Sequence, residues 1–176
     1  MVRVYKFFAY FIFFIIMLYA FFPKANLYYQ AQTYLANYKI KITNATLHEN
    51  IFSLNLQHVT VAYEGIKTAK IAKMHIVLLG ISNSIDVNGI ILSGIVKNFL
   101  PQRIDKASLH YSILHPLEIK AELKGDFGNA KCFYEIGKDK LIMQLYPSAI
   151  MKTHYKSSLR ELKKLKNGVY RYETTL

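Results

Sequence analysis

The chain begins with a long apolar segment, which limits the structures that its N-terminus can form. From Val4 to Phe22 the only charged residue is Lys6. Nineteen helical residues at about 1.5 Å each span about 28 Å, close to the roughly 30 Å of a bilayer's hydrocarbon layer. Because lipid offers no partner for backbone polar groups, a segment that crosses it has to be helical. The sequence therefore predicts a transmembrane anchor within residues 1–22. Its lipid-facing side chains would be those of Phe7, Phe8, Phe11, Ile12, Phe13, Phe14, Ile15, Ile16, Leu18, Phe21 and Phe22.

A cleaved signal peptide is the alternative, because Arg3 and Lys6 form a short basic start. The segment ends in Tyr19-Ala-Phe-Phe-Pro23, which has bulky side chains where a signal peptidase requires small ones. This ending favours retention of the segment. Only Lys24 adds positive charge within fifteen residues after Phe22, so the charge bias places the N-terminus in the cytoplasm and the rest outside it.

A second helical pattern follows the apolar segment. Its larger side chains recur at spacings of three and four, at Leu27, Tyr28, Ala31, Tyr34, Leu35 and Tyr38. We expect a linker helix within residues 23–38. It would either lie in the membrane interface or pack on the core of the domain that follows.

From residue 39 to residue 146 the apolar period changes from helical to two. Alternating runs lie around Ile40, Leu54, Val59, Met74, Ile85, Leu109, Ile119, Cys132 and Leu141, and the alternation shifts phase between Leu56 and Val59. Glycine, proline and asparagine separate the runs as turns. Eight or nine short amphipathic strands without a long helix between them predict an antiparallel β-meander with one apolar face.

The C-terminal part returns to a helical period. Met151, Tyr155 and Leu159 begin an apolar stripe, which predicts an amphipathic helix over residues 148–166, within a β-rich domain of residues 39–176. Asn167-Gly168 would cap this helix and a last strand, Val169–Glu173, would rejoin the sheet. The helix either touches a membrane surface or closes the open end of the β-structure. The candidate membrane-surface contacts are Lys152, Lys156, Arg160, Lys163 and Lys164.

The net charge of +12 is concentrated at the two ends of the chain. Residues 148–176 carry seven basic and two acidic groups, whereas residues 25–147 are close to balanced, with thirteen and nine. This distribution favours anionic lipid over a dedicated nucleic-acid surface, and a merely solvated lysine-rich surface is equally compatible with it. Nucleic acid is not an expected partner.

No catalytic or metal-binding pattern is present in the sequence. The six histidines show no ligand spacing on a helix or a strand, and a single cysteine, Cys132, excludes a zinc framework. The alternation around Cys132 indicates a small buried side chain. We expect neither an enzyme nor a cofactor.

Besides the order of anchor, linker helix and strands, five segments of the sequence carry a family resemblance. They are Asn44-Ala-Thr-Leu47, Leu54-Asn-Leu-Gln-His-Val-Thr-Val61, Ile85-Asp-Val-Asn-Gly-Ile-Ile-Leu-Ser-Gly94, Leu117–Gly128 and Leu162-Lys-Lys-Leu-Lys-Asn-Gly-Val-Tyr-Arg-Tyr-Glu173. On these residues the chain resembles the N-type inner-membrane component of type II secretion systems. Through that component it also resembles the broader AsmA-like family of membrane-anchored periplasmic proteins.

The resemblance implies a curled antiparallel sheet with a hydrophobic interior, held in the periplasm by one inner-membrane helix. It also implies a non-enzymatic component of an envelope-spanning machine for protein export or DNA uptake, in contact with other inner-membrane subunits. The chain is shorter than is usual for the N-type component, which favours a reduced variant.

The apolar face of such a sheet has to be covered by curling, by a helix, by a partner or by lipid. If the predicted helices cover only part of it, a phospholipid acyl chain or a partner strand would cover the rest. An AsmA-like lipid-binding or lipid-transfer module is therefore the alternative function. The candidate binding face comprises Leu109, Tyr111, Ile113, Ile119, Leu123, Met143 and Leu145.

Overall fold

The structure is a computed structural model that describes residues 2–44, 46–94 and 98–175; Ala45, inside one segment of the resemblance, lies outside the described residues. Helix α1 spans Val2–Ala20 and helix α2 spans Lys24–Asn37. Within the described residues neither helix alone has the length and hydropathy of a membrane span, whereas Val4–Ala20 and Lys24–Asn37 together do, across a 49° bend. Helix α1 stops short of the predicted Phe22 because the ring of Pro23 disfavours a continuous helix.

In the described residues eleven strands form one sheet, and every pairing is antiparallel. The strands are β1 (Ile40–Thr43), β2 (Thr46–Glu49), β3 (Ser53–Tyr63), β4 (Ile66–Leu78), β5 (Ser82–Leu92), β6 (Arg103–Ser112), β7 (Glu118–Gly125), β8 (Gly128–Glu135), β9 (Lys140–Pro147), β10 (Lys163–Lys164) and β11 (Tyr170–Thr175). Their spatial order is β1-β3-β4-β5-β6-β7-β8-β9-β11-β10, and β2 pairs with β3 on the same side as β1. The sequence pattern predicts the long strands, and it misses the four-residue β2 and the two-residue β10.

The sheet has a near end, where β3, β5, β7 and β9 begin, and a far end, where they finish. Apolar residues of neighbouring strands pair with one another and therefore share one face. One row across this face consists of Leu56, Met74, Val87, Ala107, Leu123, Ala130 and Leu145. The next row towards the near end consists of Leu54, Ile76, Ile85, Leu109, Ala121, Cys132 and Met143.

The alternation shifts phase at one level of the sheet. Leu56 and Val59 both lie on the apolar face, although they are three positions apart. His58 between them has a φ of 52°, a left-handed backbone conformation, and the register of β3 with β4 is unbroken across it. In the three neighbouring strands the burial pattern changes phase at the same level, at Ala72, Gly89 and Asp105, again without a change of register between β4 and β5 or between β5 and β6. Because all four strands change phase together, their apolar side chains lie on one face on both sides of this level.

Helices cover two parts of the apolar face. Helix α2 lies over β1 and β3, and its Tyr28 is buried there. The cluster beneath it comprises Tyr28, Leu54, Leu56, Val59, Ile71 and Val87. Helices α3 (Ala149–His154) and α4 (Lys156–Arg160) cover the far end of β6 to β9. The second cluster comprises Leu92, Ile104, Phe127, Ala130, Leu145, Met151 and Leu159.

The sheet is open, and the prediction that it curls is wrong. Its edge strands, β1 with β2 on one side and β10 on the other, lie at opposite ends of the strand order. A sheet closes on itself when it has no other way to bury its apolar face. Here helices from the same chain bury two parts of that face, so the burial does not require closure.

The single C-terminal helix predicted over residues 148–166 is also wrong. Ser148 caps the start of α3, since its Oγ accepts a hydrogen bond from the Met151 amide at 3.2 Å, and the helical run is interrupted at Tyr155. Residues 163–164 form β10 and pair with β11. Asn167-Gly168 forms the turn of this hairpin, because the dipeptide suits a hairpin turn as well as a helix cap.

The junction between α1 and α2 is fixed to the near end of the sheet. The Tyr19 hydroxyl donates a hydrogen bond to the carbonyl of Leu79, which follows β4. Lys24 is only 1% exposed, and its ammonium donates to the carbonyls of Tyr19 and Phe22 at 3.2 and 3.0 Å. Its backbone amide donates to the Glu49 carboxylate at 2.9 Å. These bonds join α1, α2 and the near end of the sheet.

Candidate functional site

Part of the apolar face is left open between the two sets of helices. It occupies the near half of β6 to β9, and we call it the open patch. The open patch comprises Leu109, Tyr111, Ile119, Tyr134 and Leu141. Leu109 is 37% exposed, and the other four side chains are half-buried. These residues come from four neighbouring strands. They share one face because residues that pair across antiparallel strands project their side chains to the same side of the sheet.

The candidate face predicted from the sequence divides into three parts. Leu109, Tyr111 and Ile119 lie in the open patch. Leu145 is buried beneath α3 and α4, and Leu123 and Met143 adjoin the same cluster. Ile113 lies beyond the end of β6, in the turn before β7, where it is 51% exposed. Tyr134 and Leu141 were missing from the predicted face, although the register of β7, β8 and β9 brings them beside Ile119.

An apolar cavity of about 280 Å³ lies between the sheet and helices α3 and α4. Its volume is near the lower end of the roughly 300–1,000 Å³ range of small-molecule pockets. Cys132 and Met143 line this cavity and pair with each other across β8 and β9. The next pair on the same face, towards the near end, is Tyr134 with Leu141 of the open patch. The cavity is therefore next to the open patch. Its lining comprises Leu100, Ile104, Leu123, Phe127, Ala130, Cys132, Met143, Leu145, Met151, Ser158 and Leu162.

Cys132 lies on the apolar face, as the alternation predicts, and is half-buried. Burial raises the pKa of its thiol above the usual value, because an apolar environment disfavours the thiolate. Since the thiolate is the reactive form, this position behaves as a small apolar side chain.

The opposite face of the sheet is polar, and several of its charges are paired. Lys106 Nζ lies 3.6 Å from Asp86 Oδ1 on the neighbouring strand. A hydrogen bond from the Lys140 ammonium lowers the pKa of the Glu173 carboxyl, with Arg171 as a further partner at 2.7 Å. Exposed ion pairs of this kind contribute little to stability, because water screens them. The charged side chains therefore favour exposure of this face of the sheet to water.

The five candidate membrane-surface residues are exposed and lie on α3, α4 and β10. These elements leave the sheet at its far end, after β9, whereas the end of α1 contacts the near end. The basic cluster and the end of α1 therefore lie at opposite ends of the strands.

The described residues contain no group of three or more His, Cys, Asp or Glu side chains that could hold a metal ion. No protein-family model, curated protein or solved structure matches the chain. The open patch and the cavity beside it are therefore the features on which a function rests.

Proposed function

We propose that the protein is a membrane-anchored, non-enzymatic binding module whose open patch holds the acyl chain of a membrane lipid. The observation that carries this proposal is the uncovered half of the apolar face, which continues into an apolar cavity. An acyl chain needs no hydrogen-bond partner, and each buried methylene contributes about 0.8 kcal/mol. The aliphatic and aromatic side chains of the open patch match that chemistry.

Helix α1 is the proposed anchor. Its side chains from Val4 to Leu18 are all exposed in the isolated chain, and most are phenylalanine, isoleucine or another large apolar residue. Such a surface is costly in water and favourable in hydrocarbon. With the N-terminus in the cytoplasm, the sheet would lie on the periplasmic side of a bacterial inner membrane.

A charged residue in the open patch tests lipid binding. We expect Tyr111→Glu to reduce the phospholipid that co-purifies with the full chain by at least about tenfold, because a carboxylate against an acyl chain costs several kcal/mol. The matched control is His110→Glu, which adds the same charge to the adjacent residue on the polar face. Native mass spectrometry and extraction of bound lipid measure the effect. Equal lipid content in the two variants would contradict the proposal.

A second candidate is an assembly component of a type II secretion-like machine that acts by protein contact. It is favoured by the edge of β11. In the described part of the chain β10 pairs only with Tyr170 and Arg171, so Tyr172–Thr175 have no strand on the side away from β9. An open edge of this kind accepts an added strand from a partner.

This second function predicts that the full chain co-purifies with other inner-membrane subunits. A photoreactive residue at Thr175 should then cross-link to such a subunit, whereas one at Glu122, on the polar face of β7, should not. Equal cross-linking from both positions would argue against contact through the β11 edge.

A further inference from the structure

The turns at the near end of the sheet are apolar and exposed. Four connections meet there, at residues 50–52, 79–81, 113–117 and 136–139. Leu114 is 76% exposed, Ile81 61% and Leu117 60%. The other large exposed apolar side chains in these turns are Ile51, Phe52, Leu79, Ile113 and Ile136. Three of the four turns contain no Lys, Arg, Asp or Glu.

The described turns at the far end differ in character. Their tips are polar or charged, at Glu64-Gly65, Asp126 and Lys166-Asn167, and Phe127 folds back into the core. Exposed apolar side chains at the far end flank a polar tip, as Tyr63 and Ile66 do at Glu64-Gly65, or stand apart, as at Phe99 and Ile150. Soluble surfaces rarely gather apolar residues into one patch without a partner. The concentration of eight such side chains at one end therefore indicates a contact that covers them.

The contacts of α1 with the apolar turns indicate which surface covers them. Tyr19, in the last turn of α1, donates a hydrogen bond to the carbonyl of Leu79, and the centroid of its ring lies 6.5 Å from that of Phe52. Both partners belong to the apolar turns. The side chains of α1 from Val4 to Leu18 are exposed, so the helix extends away from the sheet. When α1 lies in hydrocarbon, its last turn is at the bilayer boundary, and the apolar turns lie at the same level.

We propose that the four near-end turns insert into the bilayer interface, so that the strands stand on the membrane with their far end outwards. This inference rests on the proposed anchor and deepens the proposed function. Interfacial protein segments insert apolar side chains about 5–10 Å into the boundary between headgroups and acyl chains. Tyr111, Ile119 and Leu141, at the near end of the open patch, would then adjoin the hydrocarbon. An acyl chain would reach the open patch without crossing water.

The test uses the full chain in vesicles of phosphatidylethanolamine and phosphatidylglycerol. The single cysteine is first removed by Cys132→Ala, and a fluorophore is then attached at Leu114→Cys, Ile81→Cys or, as the far-end control, Lys166→Cys. Nitroxide groups on the lipid acyl chains should quench the labels at 114 and 81 at least about threefold more than the label at 166, given an insertion of about 5–10 Å. Equal quenching, or equal access of aqueous iodide to all three labels, would overturn the inference.

A second variant separates insertion from folding. Leu114→Asp with Leu117→Asp changes two exposed side chains, so thermal unfolding in detergent should match the parent. In vesicles the same pair should lower lipid quenching of a label at Ile81→Cys to the level of the Lys166→Cys control. Unchanged quenching in a folded variant would count against insertion of the turns.

The outcomes also distinguish this inference from the proposed function. Lipid-quenched labels at 114 and 81, together with unchanged lipid content in Tyr111→Glu, would overturn acyl-chain binding and support insertion of the near-end turns. Release of the parent chain from the vesicles by alkaline carbonate would overturn the anchor and, with it, both the proposed function and the insertion of the turns. Water-exposed labels on a chain that retains phospholipid would overturn insertion of the turns alone.

Discussion

Replacing Gly128 with alanine is expected to lower the free energy of unfolding by at least about 3 kcal/mol. Gly128 opens β8 with a φ of 111°, which an L side chain rarely adopts. A Cβ there would meet the carbonyl oxygen of Tyr146 and lie 2.7 Å from the backbone nitrogen of Ser148. These are backbone atoms, and the Ser148 amide donates to the carbonyl of Phe127 at 2.9 Å. Relief of the clash would therefore disturb both the β7–β8 turn and the start of α3.

Gly65→Ala is the matched control for the effect of steric contact. Gly65 has a φ of 81°, and nothing lies within 4 Å of the position that a Cβ would occupy there. A left-handed backbone alone costs an alanine about 1 kcal/mol. Chemical unfolding of both variants in detergent, followed by circular dichroism, gives the difference. Equal losses at the two glycines would show that backbone conformation, rather than contact, sets the cost at Gly128.

Truncating Leu56 to alanine is expected to cost about 3 kcal/mol, within the roughly 2–5 kcal/mol range for buried leucines. Leu56 is 1% exposed, and it pairs with Leu47 on β2 and Met74 on β4 beneath α2. Because β2, β4 and α2 hold the neighbouring side chains in place, these cannot move into the space that the truncation leaves. Thermal unfolding in detergent measures the loss.

Leu114→Ala provides the control, because Leu114 is 76% exposed in a near-end turn. In detergent we expect its stability to stay within about 0.5 kcal/mol of the parent protein. If Leu56→Ala were equally mild, α2 would not cover a packed core, and the open part of the apolar face would extend to β3.

The strands were predictable because each has its own local signal. Alternation identifies β3 to β9, and the change of phase between Leu56 and Val59 coincides with the left-handed backbone of His58. The apolar face follows from that alternation together with antiparallel pairing. Leu109, Tyr111 and Ile119 could therefore be assigned to one surface before their neighbours across the sheet were known.

The features that sequence did not reveal depend on tertiary packing. The stripe from Met151 to Leu165 suits one long helix, but pairing of Lys163–Lys164 with β11 takes its last turn into a hairpin. Whether the sheet curls depends on how much of the apolar face α2, α3 and α4 cover, which no local pattern states. The apolar tips at Ile81 and Leu114 are single residues in short turns, and they form a surface only when the sheet brings their ends together.

The buried joint at Lys24 has a mechanical consequence. Because α1 and the near end of the sheet are joined there, a rotation of α1 about its own axis is transmitted to the whole sheet. β11 lies six strand spacings from β4, which at about 4.8 Å each is a lever arm of about 29 Å. A rotation of about 20° would carry the free edge of β11 sideways by about 10 Å. With α1 as the proposed anchor, torque on this helix would in this way move a distant strand over the membrane surface.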